Sequence, residues 1–160
     1  MCGIVGFVNY KKDINNPVSI LNEMNHSLTN RGPVEEESYI SSPAYLARKK
    51  LAVVDPISGS QPMITTYNEN DYSIVCNGQI YNTLEIKDTL IENGFYFKTN
   101  SDIEVLLNAF IFYGYDIVKH INGNFAFAIW NKNKEELFLA RDHFGIKPLF
   151  YTITDDTLVF

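Results

Sequence analysis

Two short stretches of the chain hold residues whose types suit nucleophilic attack on an amide, and the first is the N-terminus. Cys2 follows Met1, and its side chain is of the small kind after which an initiator methionine is commonly trimmed. Once Met1 is removed, Cys2 carries a thiol and a free α-amino group, and such an amine titrates near pH 7.7–8.0. One residue then supplies both nucleophile and base, as in hydrolases with an N-terminal threonine. Taken alone the signal is weak, because a cysteine at position 2 is more often incidental.

The second stretch is CNGQIYN, at residues 76–82, which follows a predicted strand. Asn-Gly is a turn dipeptide, so one interpretation is a tight connection from a strand to a helix. The other interpretation is an oxyanion hole, in which the Asn77 amide and the backbone N–H of Gly78 point at one developing negative charge. Farther along, Asp102 lies at the start of a predicted helix, where the helix dipole favours a carboxylate. That structural role competes with binding the α-amino group of an amino-acid substrate.

The elements that must position these residues follow from hydrophobic periodicity. Asn16 is predicted to cap the first helix, and Ser101 with Glu104 forms a capping-box pattern at the third. Residues 124–130 are apolar on both alternating faces, so both sides of that strand must be covered. The order of elements suits mainly antiparallel sheets with helices outside them. Strands are expected at 3–8, 38–41, 45–48, 51–55, 72–76, 124–130, 136–140, 149–153 and 157–160, and helices at 17–29, 82–92 and from 101 to near 114.

Composition bounds the class of protein. The 160 residues, with 46% hydrophobic and 20% charged, suit one globular domain. The net charge of −6 argues against nucleic acid as a partner, and there is no apolar run of about 18 residues that would span a membrane. The two cysteines are interpreted as reduced, in a cytoplasmic setting. The three histidines show no ligand spacing, so no metal site is expected.

The order of several motifs makes the chain resemble the class II glutamine amidotransferases. It looks most like the amino-terminal glutaminase domain of glutamine-hydrolysing asparagine synthetases, over nearly its whole length. The resemblance implies an α+β fold, the αββα sandwich of N-terminal-nucleophile hydrolases, with two antiparallel sheets flanked by helices. It implies one amidotransferase domain at 1–160, truncated at its C-terminal end because the chain stops inside a predicted strand. The motifs are MCGIVGF, RGP, KKLAVVD, QPM, NGQIYN, SDIEVLL, INGNFAFAIW and LFLARDHFGIKPLFY.

The resemblance assigns catalytic roles to the residues already singled out. It implies that Cys2 forms a γ-glutamyl thioester with L-glutamine, from which glutamate and ammonia result. It places Asn77 and Gly78 in the oxyanion hole. It assigns Asp102, together with the residue at position 79, to the substrate α-amino group. The family usually has glutamate at position 79, so Gln79 leaves one carboxylate for that ammonium, at a cost of about 1–2 kcal/mol of binding.

The α-carboxylate of glutamine is assigned to position 50, with backbone groups near Leu51 and Val53 lining the pocket and Arg31 in a loop that helps to shape it. The family usually has arginine at position 50, whereas Lys50 is a point charge that cannot grip a carboxylate with two parallel bonds. Arg48 stands where histidine is common and faces the same side of its strand as Lys50. We therefore expect Arg48 to compensate in part, and an unchanged Michaelis constant for glutamine in Arg48→Ala would exclude this.

The rest of the implied enzyme lies outside these residues. In the family, a carboxy-terminal synthetase domain uses ATP and magnesium to adenylate aspartate, and ammonia reaches it through an internal tunnel. This chain would need no cofactor of its own. The segment with Arg141, Asp142 and Lys147 either braces the interface with that domain or has a folding role. A degenerate domain that binds without hydrolysing, an amidotransferase domain for a different acceptor, and a homodimer are left open.

Overall fold

The structure is a computed structural model that describes residues 2–31, 35–50 and 60–160; of residues 31, 35, 36 and 50 it describes the backbone only. The described residues form nine strands and three α-helices, with short 3₁₀ helices at Thr29–Arg31 and Gly114–Lys119. Their bounds are β1 Gly3–Asn9, α1 Pro17–Ser27, β2 Glu35–Ser41, β3 Ala44–Lys50, β4 Met63–Tyr67, β5 Asn70–Ile80, α2 Thr83–Glu92, α3 Asp102–Tyr113, β6 Gly123–Asn131, β7 Glu136–Arg141, β8 Thr152–Thr154 and β9 Thr157–Val159.

The strands form two sheets in which every described pair is antiparallel. One sheet has the order β2-β3-β1-β9-β8 and the other has the order β4-β5-β6-β7. Between them lies an apolar layer to which β1, β3, β5 and β6 contribute. Helix α1 packs on the outer face of the first sheet, and α2 and α3 pack on the outer face of the second. The expected αββα sandwich is therefore confirmed.

Strand β6 shows why this arrangement is stable. Phe125, Phe127 and Ile129 point towards the helices, while Ala128 and Trp130 point into the layer between the sheets. All five side chains are almost fully buried, and burial of each large apolar side chain contributes roughly 1.5–3 kcal/mol. The prediction that both faces of this strand are covered is confirmed.

Local signals at the helix starts were only partly interpreted correctly. The Ser101 side chain accepts a bond from the N–H of Ile103 and caps α3 as predicted. Glu104 does not complete the capping box, because its carboxylate bonds instead to the backbone N–H groups of Lys98 and Thr99. Asn16 occupies the N-cap position of α1 as predicted, but it adopts a left-handed conformation and its side chain makes no capping bond.

The strands differ from the predictions in three places. The edge strand β4 was not predicted, and the expected strand at 149–153 is replaced by β8, which begins at Thr152. The expected strand at 51–55 lies outside the described residues. The largest difference is in β5, which continues through Asn77 and Gly78 to Ile80. The turn interpretation of Asn77-Gly78 was therefore wrong, since both residues pair with β6.

Candidate active site

The antiparallel pairing of β1 with β3 positions the N-terminal cysteine. Gly3 lies opposite Lys49 and Ile4 lies opposite Arg48, so Cys2 stands immediately before the paired region. The thiol is half-buried. Nη2 of Arg48, which is also half-buried, lies 3.4 Å from Sγ of Cys2. Pairing with β1 thus brings a guanidinium on β3 against the sulfur.

The second sheet brings the end of β5 to the same place. Asn77 lies opposite Ala126, and Gly78 lies opposite Phe125. Gly78 has a φ of 148°, and a Cβ added there would lie 2.0 Å from the carbonyl oxygen of Asn124. Only glycine fits this position, because the neighbouring backbone of β6 fills the space that a side chain would need.

Cys2, Asn77 and Gly78 line one recess of about 240 Å³. In the same measure one water needs about 10–15 Å³, so the recess has room for a ligand much larger than a water molecule. Gln79 is exposed and also lines it. The structure therefore brings the three residues predicted to be catalytic together at one surface opening. Its remaining lining residues are Tyr81, Asn124 and Lys147.

A second recess of about 230 Å³ is also lined by Cys2 and is mainly apolar. Cys2 and Asn77 belong to both recesses. The nucleophile candidate thus borders both a polar recess and an apolar one. The apolar recess is lined by Gly3, Ile4, Val5, Leu28, Pro148, Leu149, Phe150 and Phe160.

Asp102 begins α3 and is tied to the end of β5. Burial raises the pKa of its carboxyl group above the ordinary value, although bonds from the backbone N–H groups of Ile80 and Ile103 and the positive charge of Arg48 act in the opposite direction. The hydrogen bond from the backbone N–H of Ile80 holds the Asp102 carboxylate next to β5, the strand that carries Asn77.

The second cysteine, Cys76, is buried and does not suit a nucleophilic role. Burial raises the pKa of its thiol to about 12, and the nearby charge of Asp102 adds to this effect. Its backbone N–H donates to Oε1 of the buried Gln61, at 2.6 Å. Gln61 belongs to the QPM motif, which here satisfies the backbone of β5 just before β4 begins to pair with it.

The segment after β7 holds Lys147 at the edge of the polar recess. Asp142 is buried, and its carboxylate accepts bonds from the backbone N–H groups of Phe125, Ile146 and Lys147. Burial alone would raise the pKa of Asp142, but these N–H donors together with that of Phe144 lower it below the ordinary value. A folding role is therefore observed for Asp142, whereas the predicted interface role of the segment stays a prediction.

Several predicted substrate contacts remain predictions. Leu51 and Val53 lie outside the described residues. Arg31 ends a 3₁₀ turn and Lys50 ends β3, and the structure describes only their backbone. Within the described part of the chain there is no group of three or more His, Cys, Asp or Glu residues that could hold a metal ion. No described helix is long and apolar enough to cross a membrane.

Three recess residues were missed by the sequence reasoning about substrate contacts: Tyr81, Asn124 and Lys147. Tyr81 and Asn124 lie within the motifs NGQIYN and INGNFAFAIW, which were used for the resemblance but not interpreted residue by residue. Lys147 was assigned to a segment with either an interface role or a folding role. The sequence contained one indication of a site role for Lys147, its place in the FGIKPLFY motif. Only the fold shows that this motif lies beside Cys2.

Comparison with known proteins finds relatives along the whole chain. The family model described as "glutamine amidotransferase domain" matches residues 1–160. The glutamine-hydrolyzing asparagine synthetase 3 of Bacillus subtilis strain 168 is 40% identical over 160 residues, which cover 100% of this chain and 26% of the relative. Asparagine synthetase 1 of the same organism is 36% identical over 162 residues, which cover 100% of this chain and 25% of the relative. The chain thus spans about a quarter of the length of these curated relatives.

Solved structures support the fold. Glutamine phosphoribosylpyrophosphate amidotransferase from B. subtilis, solved with ADP and GMP, matches with a TM-score of 0.76 and 19% identity, covering 99% of this chain and 41% of that one. A structure described as the allosteric regulatory enzyme of purine biosynthesis matches with a TM-score of 0.78 at the same identity and coverage. Since the family model matches the chain from end to end and the recess joins Cys2 to Asn77 and Gly78, the chain belongs to the glutamine amidotransferase domain family.

Proposed function

We propose that this domain hydrolyses L-glutamine to glutamate and ammonia, with Cys2 as the nucleophile. The observation that carries the proposal is the recess lined jointly by Cys2, Asn77 and Gly78. It joins a sulfur nucleophile to a side-chain amide and to a strand position that only glycine can occupy. Hydrogen-bond donors beside a nucleophile are what the tetrahedral intermediate of acyl transfer requires.

The reaction requires that Met1 has been removed from the chain. Sγ of Cys2 attacks the side-chain carbonyl carbon of glutamine, and the thiol proton passes to the α-amine of Cys2. A C–S bond forms, the C–N bond breaks, and the same proton goes to the leaving ammonia. Water then cleaves the γ-glutamyl thioester: its hydroxyl group stays on the carbonyl carbon as glutamate, and its proton returns to the sulfur.

The α-ammonium and α-carboxylate groups of the glutamine substrate need partners of opposite charge. We assign the α-ammonium to Asp102 and Gln79, because Asp102 is tied to the end of β5 and Gln79 lines the recess. We assign the α-carboxylate to Lys50, with the backbone near Leu51 and Val53 and with Arg31 shaping the opening. Charge complementarity supports this arrangement, in which the substrate is held by both ends while its amide faces Cys2.

The released ammonia needs an acceptor. The curated relatives are named glutamine-hydrolyzing asparagine synthetases and are about four times as long as this chain. We propose that the ammonia serves ATP-dependent and magnesium-dependent amidation of aspartate in a C-terminal synthetase domain, in the cytoplasm. The main alternative is a different acceptor, since the acceptor site is not among these 160 residues.

The hydrolysis is tested by measuring ammonia and glutamate released from L-glutamine. We expect release by the wild type and loss of release in Cys2→Ala, with Cys76→Ala as the matched control that keeps it, because the buried Cys76 thiol stays protonated. The mass of each intact chain must first confirm that Met1 is absent. Equal release by the wild type and Cys2→Ala would contradict hydrolysis by Cys2.

The competing candidate is a domain that binds glutamine without hydrolysing it. The observation that favours it is Gln79, an uncharged residue at the polar recess where a carboxylate is usual. Titration calorimetry with glutamine separates the two candidates. Heat of binding without ammonia release, in material that lacks Met1, would favour the binding domain.

A further inference from the structure

The side chain of Arg48 reaches the sulfur of Cys2 because of the register between β1 and β3. Arg48 lies opposite Ile4, two residues after the cysteine, and residues two apart on a strand face the same side. A long side chain on β3 therefore spans the diagonal to Cys2. Nη2 of Arg48 lies 3.4 Å from Sγ, within the range of an N–H···S hydrogen bond.

The charge of Arg48 affects several ionisable groups around the site. It opposes the rise in the pKa of the Asp102 carboxyl and of the Cys76 thiol, in both cases after the larger effect of burial. The guanidinium therefore stands near three groups that become anionic when they ionise: Cys2, Cys76 and Asp102. Of these, Cys2 is the one in direct contact and the one at the opening.

The distance to the sulfur bears on which end of glutamine Arg48 meets. The sulfur attacks the side-chain amide, whereas the α-carboxylate lies at the opposite end of the glutamine carbon chain. A guanidinium in contact with the attacking atom is at the reacting end of the substrate. A positive charge beside the attacking sulfur changes the rate of the chemical step. A contact to the α-carboxylate stabilises the bound substrate as well as the transition state, so it also changes substrate binding.

We propose that Arg48 is a catalytic residue that stabilises the sulfur of Cys2 as the thiolate through its Nη2 group. The inference rests on the proposed role of Cys2 as the nucleophile. The thiolate is the reactive form of cysteine, and a neighbouring arginine is one of the environments that favour it. In this arrangement Arg48 supplies the charge, and the oxyanion donors Asn77 and Gly78 act later, on the carbonyl oxygen.

Other charged groups near this site must be separated from Arg48. The α-amino group of Cys2 is covalently attached to the same residue, Lys147 lines the polar recess, and the charges of Asp102 and Lys147 act on the neighbouring Cys76 thiol. Lys50 ends the strand that carries Arg48. Asp102 opposes thiolate formation and the cations favour it, so the effect of Arg48 is defined by replacing Arg48 alone.

The test is the pH dependence of alkylation of Cys2 by iodoacetamide, followed by the mass of the N-terminal peptide so that Cys76 is not counted. We expect Arg48→Gln to raise the pKa of the Cys2 thiol and to lower the alkylation rate at neutral pH by about tenfold. Arg48→Lys should keep most of the wild-type rate. Lys132→Gln is the matched control, because the exposed Lys132 follows β6 at the end away from the site.

A wild-type measurement keeps the proposal testable if a variant fails to fold. The thiol in the folded protein must ionise at a lower pH than the thiol in the peptide CGIVGF, which has the same N-terminal amine but no Arg48. Equal ionisation in protein and peptide, or an unchanged profile in folded Arg48→Gln, would overturn the proposal. Alkylation needs no turnover of glutamine, so this result is independent of whether the domain hydrolyses it.

Discussion

At the scale of single residues, the two cysteines show how environment decides reactivity. Cys2 is half-buried, lies at a surface opening and contacts Arg48. Cys76 lies in β5 with its side chain buried in the core that contains α2 and α3, and burial raises the pKa of its thiol to about 12. Of the two, Cys2 has its sulfur at a recess that a ligand can enter, whereas the buried Cys76 thiol stays protonated at neutral pH.

Asn77 is the residue for which the oxyanion assignment can be tested directly. Removing one such donor from an active site lowers kcat by about 100-fold to 1,000-fold, because the donor acts mainly on the transition state. We therefore expect Asn77→Ala to lower kcat for glutamine hydrolysis by about 100-fold or more, with a much smaller change in KM. Steady-state ammonia release measures both values.

The control for this substitution is Asn22→Ala, which removes an exposed asparagine side chain on α1. It should leave kcat unchanged. An Asn77→Ala variant with the wild-type kcat would show that the side-chain amide of Asn77 does not act on the oxyanion.

Gln79 offers the opposite kind of change, in which a missing charge is restored. Gln79→Glu adds a carboxylate to the polar recess, opposite the proposed position of the substrate ammonium. A charge-assisted hydrogen bond contributes about 1.5–3 kcal/mol, so we expect KM for glutamine to fall roughly tenfold. Kinetics of Gln79→Ala provide the comparison, since that variant lacks any polar group. If KM is the same in Gln79→Glu and Gln79→Ala, position 79 does not contact the substrate.

At the scale of elements, pairing between strands overrode the local signal at Asn77-Gly78. This dipeptide favours a turn, but the β6 strand continues opposite it through Phe125, and the ladder keeps both residues extended. Gly78 is needed there because Asn124 approaches its backbone closely. The residues could be identified from the sequence, whereas the physical reason for the glycine depends on a contact with a distant strand.

Helices and buried strands could be predicted because their apolar patterns are strong. Edge strand β4, with its mostly exposed side chains, carries no such pattern and was missed. The approach of Cys2 to Asn77 was accessible only through the family resemblance, because it depends on how two sheets face each other. The contact of Arg48 with the sulfur could not be predicted from the sequence, because it depends on the register of β1 and β3.

The buried Asp142 carboxylate gives a prediction for the stability of an element. Its pKa is lower in the folded protein than the ordinary value near 3.9, so ionised Asp142 stabilises the folded state above that pH. This contribution must be lost as the pH falls from about 4 through the folded pKa. We expect Asp142→Asn to lower the free energy of unfolding by about 1–3 kcal/mol at pH 7, and by less at pH 3.

Urea unfolding of both proteins at the two pH values measures this difference. Asp88→Asn, which changes an exposed carboxylate on α2, is the control and should cost little at either pH. A loss of stability in Asp142→Asn that is the same at pH 7 and pH 3 would mean that the charge of Asp142 does not hold the segment.

At the scale of the whole molecule, the chain from Phe144 to Ile153 exposes an unusual amount of apolar surface. Phe144 is 91% exposed, Phe150 83% and Tyr151 66%. Leu149 and Phe150 also line the apolar recess beside Cys2. Contiguous apolar surface of this kind is typical of an interaction site, and the relatives have about three quarters of their length beyond the part matched here.

We expect the proposed synthetase domain to cover this segment, and chymotrypsin, which cleaves after aromatic residues, provides the test. In the 160-residue chain, cleavage after Phe144, Phe150 and Tyr151 should be fast, whereas in a chain extended by the synthetase domain it should be slow. Tyr96, which is 90% exposed between α2 and α3, is the internal control and should be cleaved at similar rates in both. Equal cleavage after Phe144 and Phe150 in the two chains would place the interface elsewhere, and the apolar recess at Cys2 would then open to solvent.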